Sequence, residues 1–175
     1  MSCPIIHDFG KKTPHFFCSN FFPVPITVTI LTPDGSVTET YPSVEHAFQA
    51  AKTSVADERK EFQNPELYAG TAKKMGRFVT LRKNWESCKV STMAALLHIK
   101  FQNPNMRELL LETRPKMLIE GNYWHDNFWG ICFCPASSKG CEGATGINTL
   151  GKLLMNLRRN LQTNSTKEVS MEVTV

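Results

Sequence analysis

A change of hydrophobic period near Pro42 limits the folds that are open to this chain. From Val24 to Tyr41 apolar and β-branched residues alternate with polar ones, and Thr32-Pro33-Asp34-Gly35 supplies turn residues midway. After Pro42 the alternation stops, and apolar residues recur at helical spacing behind a candidate N-cap, Ser43. The sequence therefore predicts a β-hairpin that leads directly into a helix.

Helical periodicity dominates the rest of the chain. Proline and glycine mark most of the boundaries, because both are poorly tolerated inside a helix. A glycine-rich stretch over 121–146 is too long and irregular for an ordinary connection, and such loops are commonly functional. We predict helices over 43–52, 65–75, 85–101, 106–112 and 147–161, a short strand over 117–120, and a mobile polar tail over 162–175.

One domain is expected from 175 residues, which suffice for a core without metal or disulfide staples. Hydrophobic residues at 41% and charged residues at 21% exclude disordered, collagenous and coiled-coil classes. No run of about 18 apolar residues occurs, and residues 1–14 lack the regions of a secretory signal. We therefore expect a soluble monomer that binds no membrane, in the cytoplasm or alternatively in the nucleus.

The formal net charge of +4, from 20 Lys and Arg against 16 Asp and Glu, permits an anionic partner such as phosphate or nucleic acid. The basic residues are scattered over 73–77, 82–83 and 158–159. Solvated helix faces show the same pattern, so the charge does not by itself distinguish a nucleic-acid footprint from an ordinary surface.

Six cysteines are present, and the missing secretory signal favours reduced thiols over disulfides. His125, Cys132, Cys134 and Cys141 lie close enough in the sequence to suggest zinc. Their C-x-C-x6-C spacing matches none of the common paired zinc patterns. We therefore expect no metal site.

The helix that begins near Ser43 holds the most informative polar residues. Glu45, Phe48, Gln49 and Lys52 are spaced to share one helix face, and the Lys52 side chain leans back towards Glu45. A small substrate between them would meet a carboxylate and an amine together. The alternative is an ordinary surface Glu and Lys at helical spacing.

Three further stretches are candidates for ligand contacts. The loop 125–130 combines Asp126 with two large aromatic rings, which could stack on a base or a sugar. The alternative is that Asp126 forms an Asx turn and Trp129 packs in the core. The stretch 143–151 places small residues before a helix N-terminus, where backbone N–H groups suit a phosphate, although it is no Walker A loop. The stretch 17–23 surrounds Ser19 and Asn20 with apolar residues, as in a buried turn or a ligand contact.

In this order, these stretches resemble the NADAR family of YbiA-like N-glycosidases. The resemblance covers residues 16–161 and implies that they form one catalytic domain, which follows an N-terminal extension over residues 1–15. It implies a compact, mainly helical α+β domain with a small antiparallel β element, in agreement with the periodicity. Cys18 and the long insert 131–141 depart from the family pattern. The matching segments are FCSNFFP at 17–23, YPSVEHAFQAAK at 41–52, AKKMGR at 72–77, Trp85, MAALLHIKF at 93–101, DNFWG at 126–130 and GINTLGKLLMNLR at 146–158.

The resemblance implies cleavage of an N-glycosidic bond to ribose, without metal or cofactor. It implies Glu45 as the acid–base residue and Lys52 as an amine that forms a Schiff base with the opened ribose. It also implies that Asp126 lines the pocket, and we expect this carboxylate to be a third catalytic residue that accepts a hydroxyl proton or orients an attacking water. The substrate-binding positions that it implies are Ser19, Asn20, Phe21, His46, Phe48, Gln49, Trp85, Trp129, Gly130 and Asn148.

Two branches of the family differ in substrate. One removes ADP-ribose from guanine in nucleic acids, and the other hydrolyses phosphorylated intermediates of riboflavin biosynthesis. The positive charge and the altered loop favour ADP-ribosylated guanine, in a nucleotide or nucleic acid. The alternatives are the riboflavin intermediates and a non-catalytic module that binds ADP-ribose or an NAD metabolite.

Overall fold

The computed structural model describes residues 4–32, 35–135, 145–163 and 173–174. The chain divides into two compact units. The first unit comprises Met1–Ser19 and Pro104–Thr166, and the second comprises Asn20–Asn103 and Lys167–Val175. In the described part of the chain, no helix is both long enough and apolar enough to span a membrane.

Within the described residues, five consecutive helices follow the hairpin, and short strands and a further helix come after them. The α+β class predicted from the sequence is confirmed. A 3-10 turn at Phe16–Cys18 precedes the hairpin. The helices are α1 (Val44–Ala50), α2 (Ala56–Glu61), α3 (Ala69–Met75), α4 (Trp85–Lys100), α5 (Pro104–Glu112) and α6 (Thr149–Thr163), and the strands are β1 (Ile5–Ile6), β2 (Ile26–Thr32), β3 (Gly35–Tyr41), β4 (Met117–Leu118), β5 (Gly121–Asn122), β6 (Ile131–Cys132) and β7 (Val173–Thr174).

The second unit begins with the predicted hairpin, which is confirmed. Strands β2 and β3 pair antiparallel from Ile26 opposite Tyr41 to Thr32 opposite Gly35. Alternate residues of β2 are buried, because one face of the hairpin covers the core while the other meets solvent. Strand β7 adds to β2 in parallel, an element that the sequence does not predict within the stretch 162–175.

Helix α1 follows the hairpin after Pro42 and Ser43, as predicted, but it ends at Ala50 rather than Lys52. All seven of its residues are buried, so α1 is the central helix of this unit. Ser43 has the extended backbone of an N-cap. Its hydroxyl bonds to Nδ1 of His46 at 2.8 Å and makes no cap bond to a backbone N–H.

The prediction of a helix over 65–75 is wrong in its first four residues. The Asn64 side chain accepts a hydrogen bond from the Glu66 N–H at 2.9 Å, an Asx turn that competes with helix formation. Helix α3 therefore begins only at Ala69. Helix α2 is absent from the prediction because five of its six residues, ADERKE, are charged and the segment has no apolar period.

Helix α4 agrees with the predicted boundaries to within one residue. Met93, Leu97 and Phe101 are buried in its core-facing stripe, as expected, whereas Val90 is 36% exposed and lies at the edge. Leu96 is also buried and widens the stripe. The long helix thus covers the core of the second unit with its apolar face.

The first unit pairs β1 with β4 in parallel, and β5 with β6 in parallel. Strand β4 is two residues shorter than the predicted strand over 117–120. Helix α5 begins at Pro104, where proline is favoured as the first helical residue. Helix α6 buries Leu150 and Leu154, and Arg158 of this helix donates to Thr113 at 2.7 Å and to the Lys116 carbonyl at 3.0 Å.

Candidate functional site

Helix α1 places a carboxylate inside the second unit. Glu45 is 5% exposed and Gln49 is 4% exposed, so the alternative of an ordinary surface Glu is excluded. The Gln49 amide donates to Glu45 Oε1 at 2.7 Å, one helical turn away. The backbone N–H of Glu45 donates to the Asn20 carbonyl at 3.0 Å, which ties the start of α1 to the 17–23 motif. Glu45 is therefore held by two separate contacts.

Gly76, at the end of α3, lies against the Gln49 amide. A Cβ at Gly76 would lie 1.8 Å from Gln49 Oε1, a separation that no side chain tolerates. Among the described residues, this buried Oε1 atom accepts no hydrogen bond. Only glycine leaves room for Gln49 to reach Glu45, which accounts for the glycine in the 72–77 motif.

The Lys52 amine is fixed by the same glycine. Its Nζ donates to the Gly76 carbonyl at 3.0 Å, and the backbone carbonyl of Lys52 accepts from the Arg82 N–H at 2.8 Å. A continuous set of contacts therefore joins Glu45 to Gln49, Gln49 to Gly76 and Gly76 to Lys52. We call these four residues the Glu–Lys cluster.

The surroundings of Lys52 lower the pKa of its amine. Burial has the largest effect, because it disfavours the charged form, and the neighbouring cations Lys73 and Arg77 act in the same direction. The carboxylates of Glu45 and Glu86 oppose this change and raise the pKa. The lowered pKa increases the neutral fraction of the amine, the form that attacks a carbonyl carbon.

Only some residues of the 17–23 motif lie in the same unit as α1. The Asn20 amide donates to the Met93 sulfur at 3.5 Å, and its buried Oδ1 accepts no hydrogen bond from any described residue. Phe21 is 36% exposed, and the Lys73 amine lies 6.0 Å from the centroid of its ring. Ser19 belongs to the first unit, where its N–H closes the 3-10 turn on Phe16.

His46, Phe48 and Trp85 make internal contacts that favour a packing role. Both His46 ring nitrogens bond within the protein, to Ser43 and to the Leu67 carbonyl, and burial lowers the pKa of the imidazole. The rings of Phe48 and Trp85 are buried with centroids 5.0 Å apart. Their predicted substrate contacts stay predictions.

In the first unit, Asp126 and Trp129 lie on a loop with a defined turn. Asp126 Oδ1 accepts from the Trp129 N–H at 2.9 Å, so the carboxylate makes the kind of local bond to the backbone that the alternative interpretation predicts. Trp129 is half-buried and packs edge-on against Phe128, with ring centroids 5.0 Å apart. Gly130 approaches the Glu120 carbonyl so closely that a Cβ would lie 2.1 Å from its oxygen.

The 126–130 and 146–158 segments of the first unit pack on each other through their backbones. Four consecutive N–H groups from Ile147 to Leu150 donate to the carbonyls of Asn127, Gly130, Phe128 and Trp129, in that order. The expectation that these N–H groups bind a phosphate is therefore wrong, because they already have carbonyl partners. Residues 143 and 144 of the same predicted motif lie outside the described residues.

Asn148 is also engaged within the first unit. Its Oδ1 accepts from the Glu120 N–H at 3.1 Å, and its Nδ2 donates to the Leu118 carbonyl at 2.9 Å. The residue has a left-handed backbone, with φ of 57°. Asn148 thus fastens the start of α6 to β4, and its predicted substrate contact stays a prediction.

The fold brings together a histidine and two cysteines for which the sequence predicts no metal site. The ligand atoms of His125, Cys132 and Cys134 all lie within 4.8 Å of one another. Cys132 lies in β6, whose pairing with β5 is tertiary, so the C-x-C spacing alone does not reveal the cluster. Cys141, the fourth residue considered there, lies outside the described residues.

The comparisons with known proteins agree with this architecture. The NADAR domain model matches residues 8–162. The chain is 37% identical to N-glycosidase YbiA of Escherichia coli (strain K12) over 164 residues, which cover 92% of this chain and 91% of that protein. It is 34% identical over 134 residues to the maize (Zea mays) riboflavin biosynthesis protein PYRR, chloroplastic, covering 70% of this chain and 20% of that protein.

A solved structure shows the same fold. The NMR structure of the E. coli protein YbiA superposes with a TM-score of 0.72 at 35% identity. The superposition covers 97% of this chain and 92% of that chain. Sequence and structure therefore agree that this chain belongs to the NADAR family.

Proposed function

We propose that this chain is an N-glycosidase that hydrolyses the bond between ribose C1′ and a base nitrogen. Glu45 acts as the acid–base residue and Lys52 as the nucleophilic amine. The observation that supports this most strongly is the Glu–Lys cluster, in which a buried carboxylate and an amine of lowered pKa are linked through Gln49 and Gly76. A module that only binds its ligand has no need for this pairing.

The reaction begins with opening of the ribose ring. Glu45 donates a proton to the ring oxygen, the C1′–O bond breaks, and C1′ becomes an iminium carbon bonded to the base nitrogen. The neutral Lys52 amine attacks C1′. A proton passes from the attacking amine to the base nitrogen, the C1′–N bond breaks, and the base leaves.

Hydrolysis completes the cycle. Lys52 now holds C1′ as a protonated Schiff base, and water attacks this carbon. The sugar is released as an aldehyde that recloses, Lys52 regains its neutral amine, and the proton returns to Glu45. The balance is one water consumed and one C1′–N bond cleaved. We propose Asp126 as a further catalytic residue of the chain, and a loss of turnover in Asp126→Asn tests that role.

For the substrate, we propose ADP-ribosylated guanine in a nucleotide or nucleic acid. Lys73 and Arg77 act on Lys52 as neighbouring cations, and the same charges favour a phosphate-bearing ribosyl group nearby. The net charge of +4 acts in the same direction. The chemistry requires no metal or organic cofactor.

A second candidate substrate is favoured by one comparison. The similarity to a protein named for riboflavin biosynthesis supports phosphorylated ribosyl-pyrimidine intermediates of that kind as the alternative. The same Glu–Lys cluster would cleave both substrates, because the bond between C1′ and nitrogen is common to them.

A parallel assay tests the function and separates the substrates. The protein is incubated with an ADP-ribosyl-guanine oligonucleotide and, separately, with the riboflavin pyrimidine intermediates, and the products are resolved by chromatography. We expect release of ADP-ribose from the oligonucleotide. Glu45→Gln should lower turnover by about 10²- to 10⁴-fold, the usual contribution of acid–base catalysis.

The matched control is Glu66→Gln, which removes an exposed carboxylate and should leave turnover unchanged. Cleavage of the pyrimidine intermediates but not of the oligonucleotide would reject ADP-ribosylated guanine as the substrate and support the second candidate. Near-normal turnover by Glu45→Gln would reject the catalytic assignment, and ligand binding without product over hours would reject the enzyme.

A further inference from the structure

We propose that His125, Cys132 and Cys134 form a binding site for a thiophilic divalent metal ion, with Zn²⁺ as the fitting ion. The three residues lie in the first unit. The distance from His125 Nδ1 is 3.6 Å to the Cys134 sulfur and 4.0 Å to the Cys132 sulfur, and the two sulfurs are 2.7 Å apart. This site is independent of the proposed glycosidase activity.

The ligand set is the kind that zinc prefers. Two thiolates and one imidazole are soft and borderline ligands, and a Cys2His set with a fourth position open to water is an established zinc arrangement. Around a tetrahedral ion with bonds of about 2.0–2.3 Å, ligand atoms lie roughly 3.5–3.8 Å apart. The 3.6 Å distance from His125 to Cys134 matches this range, and the 4.0 Å distance to Cys132 exceeds it by about 0.2 Å. Binding also requires the two sulfurs, 2.7 Å apart, to separate by about 1 Å.

Burial of the sulfurs favours a cation over bare thiolates. The Cys132 side chain is fully buried and Cys134 is 5% exposed, and together they form a small apolar cluster. An isolated thiolate would be unfavourable there, because burial penalises the charged form. A divalent ion neutralises both thiolates, so each thiol releases its proton to solvent when the metal binds.

The backbone around the cluster fixes the ligands before any metal arrives. Cys132 exchanges both backbone hydrogen bonds with Thr145, and its strand β6 pairs with β5. The buried Asn122 amide accepts from the N–H groups of Trp124 and Asp126 and donates to the Asp126 carbonyl, so it closes the loop that contains His125. Supporting bonds of this kind orient metal ligands.

The backbone of His125 is in the left-handed region, with φ of 66°, which a non-glycine residue adopts at some cost. Because His125 is exposed, this conformation is not required for burying the ring. It does direct Nδ1 towards the two sulfurs. A metal bond from His125 to β6 would fasten the loop that contains Asp126 and Trp129.

Metal titration of the reduced full-length protein tests this proposal. Co²⁺ should bind at one ion per chain, with a thiolate-to-cobalt charge-transfer band and the intense visible bands of a tetrahedral centre. Zn²⁺ should displace the cobalt and abolish these bands. A chromophoric chelator in competition then gives the Zn²⁺ affinity of each variant.

Loss of one metal ligand should weaken Zn²⁺ binding by more than roughly 10- to 100-fold, which is the usual effect of removing a residue that only hydrogen-bonds to a ligand. We expect this loss in each of the variants Cys132→Ser, Cys134→Ser and His125→Ala. His125→Cys should retain binding and strengthen the charge-transfer band. Cys88→Ser, which removes a half-buried thiol of the second unit, should bind as the wild type does.

Because His125 is exposed, His125→Ala keeps the test informative if the buried cysteine variants fail to fold. Unchanged affinity in His125→Ala would overturn the proposal. So would the absence of Co²⁺ bands in the wild type, or a Cys132–Cys134 disulfide that persists under reducing conditions by mass spectrometry.

Discussion

Lys52 illustrates how a single residue acquires chemistry from its neighbours. A lysine in water is almost entirely protonated at neutral pH and is a poor nucleophile. Here burial lowers the pKa of the amine, two cations lower it further, and two carboxylates raise it. The net result is a lowered pKa and a larger neutral fraction of the amine, while the Gly76 carbonyl holds Nζ in place.

The pH dependence of turnover follows from these charges, because only the neutral amine attacks C1′. Turnover should rise with pH through the pKa of Lys52, at a pH below the usual range for lysine. Lys73→Gln removes a cation that lowers this pKa, so the rising limb should move to higher pH.

Glu86→Gln is the matched opposite, because it removes a carboxylate that raises the pKa of Lys52, and the limb should move to lower pH. The pH profile of kcat for the three proteins checks both directions. Shifts of the same sign in both variants would contradict this electrostatic account.

At the scale of elements, the end of α3 determines the position of a side chain on α1. Gly76 is the residue of closest approach, and the Gln49 amide lies where a Cβ would be. The carbonyl of the same glycine holds Lys52. One glycine at a helix end thus positions both members of the acid and amine pair.

Gly76→Ala should therefore displace the Gln49 amide and break its bond to Glu45. We expect a large loss of turnover, with a destabilisation of about 1–3 kcal/mol, as is typical of overpacking. Gly70→Ala is the matched control in the same helix, since its Cβ would meet only Phe21 at 3.8 Å.

At Gly70, in the first turn of α3, the change should be neutral or stabilising by at most roughly 0.5–1 kcal/mol. Urea unfolding and steady-state kinetics measure both variants. Equal effects of the two substitutions on turnover would show that the Gly76 contact is unimportant.

Asn148 connects two elements of the first unit, and its two side-chain bonds give a stability prediction. Asn148→Ala leaves the Glu120 N–H and the Leu118 carbonyl without these partners, which costs about 1–3 kcal/mol for a buried group. Asn148→Gly loses the same bonds but tolerates φ of 57°.

The glycine variant should therefore be the more stable of the two by roughly 1 kcal/mol, measured as the free energy of unfolding in urea. An Asn148→Ala protein as stable as the wild type would instead favour a role in substrate binding alone.

Over the whole molecule, the sequence predicts those features that depend on the periodic spacing of apolar residues along a short segment. The hairpin, α1 and α4 follow from alternation and helical spacing, and the shared face of Glu45, Gln49 and Lys52 follows from the same geometry. Helix α2 has no such period, because five of its six residues are charged.

The remaining features depend on residues distant in sequence. The contact of Gly76 with Gln49, the N–H groups of 147–150 bonded to the 127–130 loop, and the His125–Cys132–Cys134 cluster all arise from tertiary packing. Spacing along the chain does not encode these distances, so neither the carbonyl partners of the 147–150 N–H groups nor the proximity of His125, Cys132 and Cys134 follows from the sequence.

The central claim is that Lys52 forms a covalent bond to the sugar. The protein is incubated with ADP-ribosyl-guanine oligonucleotide in the presence of borohydride, which reduces a Schiff base to a stable amine, and the chain is digested for mass spectrometry. We predict one ribosyl adduct per chain, on the peptide that contains Lys52, and none in Lys52→Arg. Active cleavage without an adduct, or an adduct on another lysine, would contradict the account.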